Sequence, residues 1–316
     1  MGAILAPIEW VVAWIIYGAH WLLTAIGFAD GPGVAWVISL VFLTVLIRAL
    51  MIPLFFKQIA ATRGQQLIQP ELKAIQDKYK DKKDPASREA MSRETMALYK
   101  EHGTNPFSSC LPMLLQTPVF FALFNVLRNL TPIAAGERGA VGPITQQIAH
   151  DIQSSTFFGA HLSDVFTTTT SMTARVVVIL LILAMAASTF YTQKQLTQKN
   201  MPQAALEGQA ASMQKMMLYG MPLFFGISGI NFPVGVLIYW TVTNIWSMVQ
   251  QWWAIRKMPT PGSQAEEEMR ARKAAKAAAK GIVLEPANTV VGANDVIEII
   301  PSGQRVQPKR KNRSKK

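Results

Sequence analysis

One arginine lies inside a long apolar stretch of this sequence, and its position indicates chemistry within a membrane. The stretch Val34–Phe56 is followed by Lys57 and contains Arg48 as its one charged residue. A helix of about 20 apolar residues crosses a bilayer. Arg48 lies about 13 Å from the Lys57 end of such a helix, and an arginine at the bilayer centre costs at least about 2.5 kcal/mol. Either the side chain extends to the interface or it faces a hydrated cavity within a helix bundle. We favour the cavity.

A second motif, at Gly226–Gly229, has the sequence GISG and matches the GxSG that carries the nucleophile of intramembrane serine proteases. Such a serine needs a base within hydrogen-bonding distance, which in those proteases is a histidine on a later span. Here His20, His102, His150 and His161 all precede the serine and lie outside the predicted spans. We therefore predict that these small residues serve close helix packing.

Other signatures of catalysis or metal binding are absent from the sequence. It contains no HExxH, no P-loop, no Cys/His cluster and no pair of carboxylates within a predicted span. We expect no enzymatic activity, no cofactor and no metal.

The composition is typical of an integral membrane protein. Half of the 316 residues are hydrophobic, 16% are charged, and the mean hydropathy is +0.20. The single cysteine, Cys110, excludes an intramolecular disulfide. The net charge of +12 is concentrated in residues 254–316, which hold 14 Lys/Arg and 6 Asp/Glu. Such a tail indicates an anionic partner, either ribosomal RNA or acidic lipid head groups.

The first 33 residues precede the arginine-bearing span and allow two arrangements. Residues Ile4–Phe28 are apolar, with polar residues near one helical face and tryptophans at Trp10, Trp14 and Trp21. This pattern is typical of an amphipathic helix lying in the membrane interface, although the length also permits a span. We favour the interfacial helix, which is followed by a turn at Asp30–Gly33.

Residues 57–105 are highly charged and predict a helical hairpin outside the membrane. They hold 10 Lys/Arg and 7 Asp/Glu. Apolar residues follow a helical period from Leu67 to Tyr79, and a second helix, Pro85–Glu101, starts with proline and ends before Gly103. Because Lys and Arg near spans concentrate on the cytoplasmic side, we place the hairpin in the cytoplasm.

Four further apolar segments complete the predicted fold. It is an all-α membrane protein with five transmembrane helices, a preceding interfacial amphipathic helix and a cytosolic helical hairpin. In the outer loop, Phe157–Phe166 predicts a short surface helix. The predicted order is 1–33 interfacial helix and turn, 34–56 first span, 57–105 hairpin, 106–127 second span, 128–173 outer loop, 174–193 third span, 194–214 cytosolic loop, 215–231 fourth span, 232–253 fifth span, and 254–316 basic tail with a solvated helix and disorder beyond Gly281.

Three groups of motifs, spread over about Val34–Gln251, resemble one family. The first span ends IRALMIPLFFKQ, similar to an arginine-bearing helix followed by Lys-Gln. The hairpin and second span read QPELKAIQDKYKDK and MALYKEHGTNPFSSCLPMLLQTPVFFALF, and the last span reads NFPVGVLIYWTVTNIWSMVQQ. On these motifs, in this order, the chain is identified as a member of the YidC/Oxa/Alb family of membrane protein insertases. The large periplasmic domain of some members has no counterpart here.

The resemblance implies a five-helix bundle around a hydrophilic groove. The groove is expected to open to the cytosol and sideways to lipid, and to be closed on the outer side. By motif position Arg48 is the groove arginine, and Thr44 lies one turn earlier on the same face. Trp240 matches an aromatic residue lining the groove, and Gln116 and Gln193 match polar positions near its cytosolic half. These five are the predicted substrate-binding residues.

The resemblance also implies a function and partners. The chain is expected to insert nascent membrane proteins into the bacterial plasma membrane and to help them fold, alone or with the Sec translocon. It would be a multi-pass protein with a cytoplasmic C-terminus. The basic tail and cytosolic loops would bind the ribosome, and attraction of the tail to anionic lipids is the alternative. Two other classes stay open, a small transporter or channel with Arg48 as an anion site and a passive scaffold for assembling membrane complexes.

Overall fold

A computed structural model describes residues 2–82, 84–105, 111–201, 212 and 214–279. Cys110, part of the predicted 194–214 loop and the predicted disorder beyond Gly281 lie outside these residues. In chain order the elements are α1 (Gly2–Ala25), α2 (Val34–Leu50), α3 (Ile52–Leu67), α4 (Gln69–Tyr79), α5 (Pro85–Glu101), α6 (Leu111–Arg128), α7 (Leu130–Ala134), α8 (Gln146–Ser154), β1 (Thr156–Phe157), β2 (Ala160–His161), α9 (Met172–Asn200), a π-helical turn (Met216–Gly220), α10 (Met221–Gly229), α11 (Val234–Lys257) and α12 (Gln264–Ala278).

Two of the described helices are long and apolar enough to cross a membrane: α1, over Leu5–Ala25, and α9. Helices α2 and α3 make a third if the bent pair counts as one span, and Met216–Gly229 is a shorter apolar helix. Helices α6 and α11 carry amide side chains, among them Gln116 and Asn244, that lower their hydropathy. The count of five spans stays a prediction.

The arginine-bearing stretch is bent rather than straight. Helix α2 ends at Leu50, and α3 begins at Ile52 with its axis turned by 51°. Pro53 explains the bend, because proline has no N–H to donate and its ring clashes with the carbonyl of the residue four positions earlier. The predicted helix over 34–56 is therefore divided at Met51, and its second part continues past Lys57 to Leu67.

Helix α1 packs against α2 and α6 through a stripe that includes Val12 and Ile16. Near its C-terminus the His20 ring stacks on Trp36 of α2, with ring centroids 3.6 Å apart. Near its N-terminus the Glu9 carboxylate accepts a hydrogen bond of 2.9 Å from the Asn125 side chain of α6. The helix is long enough to cross the membrane, so its length fits a transmembrane span as well as the predicted interfacial helix.

The core lies where α1, α2, α6, α9 and α11 meet. Lipid is as apolar as these side chains, so close van der Waals packing holds the helices together. Gly235 in α11 shows how close the packing is, since a Cβ there would lie 3.1 Å from Leu127 Cδ1 and 3.4 Å from the Leu162 carbonyl oxygen. The large buried side chains of this core include Ile16, Trp36, Leu40, Leu43, Leu123, Leu127, Leu130 and Ile133.

Helices α4 and α5 run side by side in opposite directions. The Lys78 ammonium lies 2.6 Å from Glu94 Oε1, and the Tyr79 hydroxyl donates to the same oxygen at 2.8 Å. The Asp84 carboxylate caps α5 by accepting from the Ser87 N–H at 2.8 Å. The sequence signals for this second helix and the structure agree on its bounds, because they are local signals at each end.

The outer segment after α8 contains a β-hairpin where a short surface helix over Phe157–Phe166 was predicted. Strands β1 and β2 pair antiparallel around Phe158 and Gly159, whose φ angles are 50° and 81°. Two central residues with positive φ favour a tight hairpin turn, and glycine at the second makes this turn inexpensive. The helix prediction was wrong because helical residues need negative φ.

Helix α9 continues beyond its predicted end at residue 193 to Asn200. The Asn200 side chain accepts a hydrogen bond of 3.0 Å from the Thr260 N–H, in the connection that follows α11. Ser263 and Ala265, at the start of α12, are buried. The tail helix predicted to be solvated therefore packs against the ends of α9 and α11 and exposes its other face.

Candidate functional site

Arg48 lines a polar cavity at the end of α2, next to the bend. The cavity has a volume of about 220 Å³, which is room for several water molecules. The positive charge lies in the last turn of its helix, where the helix dipole favours a cation. Side chains from α3, α9 and α11 complete the wall. The lining residues are Arg48, Met51, Leu54, Phe55, Gln58, Thr192, Ser247, Gln250 and Gln251.

The Arg48 guanidinium has no carboxylate partner among the described residues. Its Nε is buried without a hydrogen bond there, and no described Asp or Glu oxygen lies within 4.0 Å of it. An arginine is always charged and carries five donors. The cavity therefore presents a positive charge with donors available to an acceptor that enters it.

Tyr239 of α11 connects Arg48 to a second predicted residue. Its hydroxyl accepts a hydrogen bond from the Gln116 side chain of α6, and it lies close enough to Arg48 for the two groups to interact electrostatically. Tyr239 is 2% exposed. This tyrosine belongs to the last-span motif NFPVGVLIYWTVTNIWSMVQQ but was not among the predicted site residues. The available signal was a phenol in an apolar helix, which needs a hydrogen-bond partner.

Of the five predicted residues only Arg48 lines the cavity; besides Gln116, the other three lie elsewhere in the fold. The Thr44 hydroxyl is 1% exposed and donates to the Leu40 carbonyl at 2.9 Å, so it belongs to the core. Trp240 packs among phenylalanines of α6 and α10, with its ring 5.1 Å from Phe120 and 4.7 Å from Phe225. Gln193 is half-buried on α9 beside Thr192, a residue of the cavity wall.

A polar seam between α9 and α11 supports one wall of the cavity. The Asn244 side chain of α11 donates to Thr189 Oγ1 at 2.9 Å and to the Met185 carbonyl at 3.2 Å. One turn further along α11, Ser247 lines the cavity opposite Thr192. The seam fixes the spacing of the two helices beside the polar space.

Two further recesses adjoin the Arg48 cavity. One, of about 160 Å³, lies between α9, α11 and α12 and shares Thr192 and Gln251 with it. The other is an apolar groove of about 480 Å³ between the α2–α3 bend and α11, which shares Phe55 and Gln250. The polar cavity thus adjoins a charged recess beneath the tail helix on one side and an apolar surface on another.

A family model described as 60Kd inner membrane protein matches residues 28–261. The chain belongs to this family. The match covers every residue of the Arg48 cavity and leaves out all of α1 and all of α12. The resemblance predicted from the motifs is confirmed. Membership and the apolar helices together indicate a multi-pass protein of the bacterial inner membrane.

Proteins similar in sequence to this chain include bacterial proteins named membrane protein insertase YidC. The protein of Streptomyces avermitilis is 46% identical over 264 residues, which are 81% of this chain and 59% of that protein. The protein of Bifidobacterium longum is 35% identical over 99% of this chain and 95% of its own length. That of Tropheryma whipplei is 39% identical over 85% of this chain and 89% of its own length. The chain thus spans less than two thirds of the Streptomyces relative but nearly all of the other two.

Proposed function

We propose that this protein inserts membrane proteins into the bacterial inner membrane, the activity for which its relatives are named. The observation that carries the proposal is Arg48, a cation without a described carboxylate partner in a polar cavity between apolar helices. The five-span bundle, the hydrophilic groove and the helper role in folding are parts of the same proposal.

The physical argument concerns the polar part of an entering client chain. Each unsatisfied backbone group in lipid costs several kcal/mol, so a hydrated cavity part-way through the membrane lowers the barrier to crossing. Arg48 attracts acidic residues of that segment. The client's apolar helix meanwhile stays in contact with lipid and with apolar surface such as the groove beside Phe55. Burial of that helix, at about 25 cal/mol per Å², drives insertion without nucleotide.

The contacts of α1 support a groove that is closed on the outer side. Glu9 accepts a hydrogen bond from Asn125 in the last turn of α6, and the His20 ring stacks on Trp36 in the first turn of α2. These ends of α2 and α6 share the outer side in the proposed topology. Glu9 and His20 lie about 16 Å apart along α1, so a helix parallel to the membrane normal would not place both at one depth. This supports an α1 that lies across the outer ends of the bundle.

The same packing favours insertion over conduction. A transporter or channel using Arg48 needs a polar path to both sides of the membrane. On the outer side of Arg48, the α2 residues Leu40, Leu43 and Thr44 are each at most 1% exposed. The polar space continues instead toward α12 through Thr192. A cavity open on one side fits a client that enters and leaves by the same side and by the lipid.

Further partners belong to the proposal as well. The α4–α5 pair carries many charges and would receive client chains from the ribosome or from targeting factors, and the protein would act alone or with the Sec translocon. The basic tail would hold the ribosome through RNA phosphates, a contact that weakens as salt rises. Anionic lipids compete for the same charges.

The test is insertion of a short single-span client with an acidic outer tail, measured by protease protection in vesicles. We expect Arg48→Ala and Arg48→Glu to lose insertion and Arg48→Lys to keep most of it. A client with a neutral tail should tolerate all three variants. Arg138→Ala, which removes an exposed arginine of the segment after α7, away from the Arg48 cavity, is the matched control. Equal insertion of the acidic client by every variant would overturn the role of Arg48.

A further inference from the structure

A second polar recess lies at the other end of the bundle, away from Arg48. It has a volume of about 510 Å³ and is formed by the N-terminal half of α1, the end of α6 and the segment after α7. Its lining residues are Ala6, Glu9, Asn125, Arg128, Asn129 and Arg138. We call it the outer recess. Neither the family match, which begins at residue 28, nor the proposed insertion chemistry accounts for its α1 wall.

The outer recess combines a buried carboxylate with two arginines. Glu9 is 7% exposed, and its one hydrogen bond in the described part of the chain comes from Asn125. A carboxylate can accept about four hydrogen bonds, and a buried charge is costly unless it is paired. The Arg128 guanidinium lies over the Phe124 ring, 6.0 Å from its centroid.

Neither of the two arginines forms an ion pair with Glu9. No described carboxylate oxygen lies within 4.0 Å of Arg128 or Arg138. Arginine guanidinium groups match phosphate oxygens in geometry and charge. A ligand that carries both a phosphate and an ammonium group would satisfy both signs of charge in this recess.

The position of the recess indicates a lipid as the source of that ligand. Trp10 and Trp14 follow Glu9 on α1, are 53% and 45% exposed, and contact each other with ring centroids 5.7 Å apart. Exposed tryptophans of membrane proteins concentrate at the level of the lipid head groups. A recess beside them meets phospholipid head groups at high local concentration.

We propose that the outer recess binds the head group of phosphatidylethanolamine. Arg128 and Arg138 bind its phosphate, and Glu9 accepts hydrogen bonds from its ammonium group. The bound lipid would hold the N-terminal half of α1 against the end of α6. The proposal does not depend on the insertase function.

The experiment measures lipid retention by the purified full chain in native mass spectrometry. Phosphatidylethanolamine and phosphatidylglycerol, which lacks the amine, are supplied at equal concentration. We expect the wild type to retain phosphatidylethanolamine preferentially. The variant R128A/R138A should bind it at least about tenfold more weakly, the effect of losing one charge-assisted hydrogen bond. E9Q should lose the preference over phosphatidylglycerol, and R88A should match the wild type.

Three outcomes would overturn the proposal. Equal retention of both lipids by the wild type would remove the role of Glu9, and unchanged retention by the double arginine variant would remove the phosphate site. Equal competition by soluble glycerophosphoethanolamine would assign the recess to a free phosphate compound rather than a lipid. If R128A/R138A does not fold, R128Q/R138Q, with side chains nearer in size, makes the same test.

Discussion

Asn244 joins α11 to α9 by two hydrogen bonds, and removing them one at a time tests how the cavity wall is held. The side-chain amide donates to Thr189 Oγ1 and to the Met185 carbonyl. Interhelical hydrogen bonds in membranes average about 0.6 kcal/mol each. Thr189→Val should therefore cost about 0.6 kcal/mol, a factor of about three in the folding equilibrium, and Asn244→Leu about 1.2 kcal/mol. The double variant should cost no more than Asn244→Leu, because that change already breaks both bonds.

The assay is reversible unfolding of the purified protein in mixed micelles as the fraction of denaturing detergent rises. Thr241→Val is the matched control on the same helix, since the Thr241 hydroxyl is buried without a hydrogen-bond partner among the described residues. Its loss should be neutral or stabilising. A cost for Thr241→Val as large as that for Thr189→Val would refute the reasoning. So would a double variant whose cost is the sum of the two single costs.

Three further predictions concern other parts of the molecule. Gly235→Val should destabilise the protein by about 1–3 kcal/mol through overpacking. Gly18→Ala, whose new Cβ has no atom within 4 Å, should instead stabilise α1 by about 0.5–1 kcal/mol. The melting temperatures of the two variants in detergent, each compared with the wild type, test both. Tyr239→Phe removes the acceptor of the α6 amide and should lower stability by about 1 kcal/mol and reduce insertion of the acidic client, both relative to a wild-type sample. Hydrogen bonds from Lys78 and Tyr79 on α4 lower the pKa of Glu94. The stabilisation that Glu94 gives to the α4–α5 pair is therefore present above the ordinary glutamate pKa and is lost as the pH falls through the lowered value. Glu94→Gln should speed amide hydrogen exchange in α5 at neutral pH but not in acid, and an unchanged rate at neutral pH would contradict this.

Local signals predicted the parts of the fold that depend on neighbouring residues. The bounds of Pro85–Glu101 were predicted from a first-turn proline and a glycine beyond the end, and the structure adds a capping aspartate, Asp84. The bend at Met51 was also encoded locally, by Pro53, but the apolar composition on both sides predicted an unbroken span. The packing of α12 could not be predicted, because Ala265 is buried in part by the end of α9, which is distant in the sequence.

The same distinction applies to the site. Arg48 could be found because one charge in an apolar stretch is visible without a structure. The link from Gln116 through Tyr239 depends on how α6 and α11 are placed, so only one member of the pair was chosen. Thr44 shares the helical face of Arg48, yet it lies one turn deeper, where packing closes around it. Helical spacing predicts a face, and packing decides where along that face the polar space ends.

Met51 is both the pivot of the bent helix and a residue of the Arg48 cavity wall. Beyond the pivot, α3 is tied to the end of α5, since the Gln65 side chain donates to the Asn105 carbonyl at 2.6 Å. At the neighbouring Gly64, a Cβ would lie 2.9 Å from Cγ2 of Thr104, so this side chain packs closely against the backbone of α3. A force on the α4–α5 pair would therefore turn α3 about Met51 and move the wall of the cavity. The α4–α5 pair is thus coupled through α3 to the Arg48 cavity, and in the proposed function a large particle that docks on the pair would change the shape of that cavity.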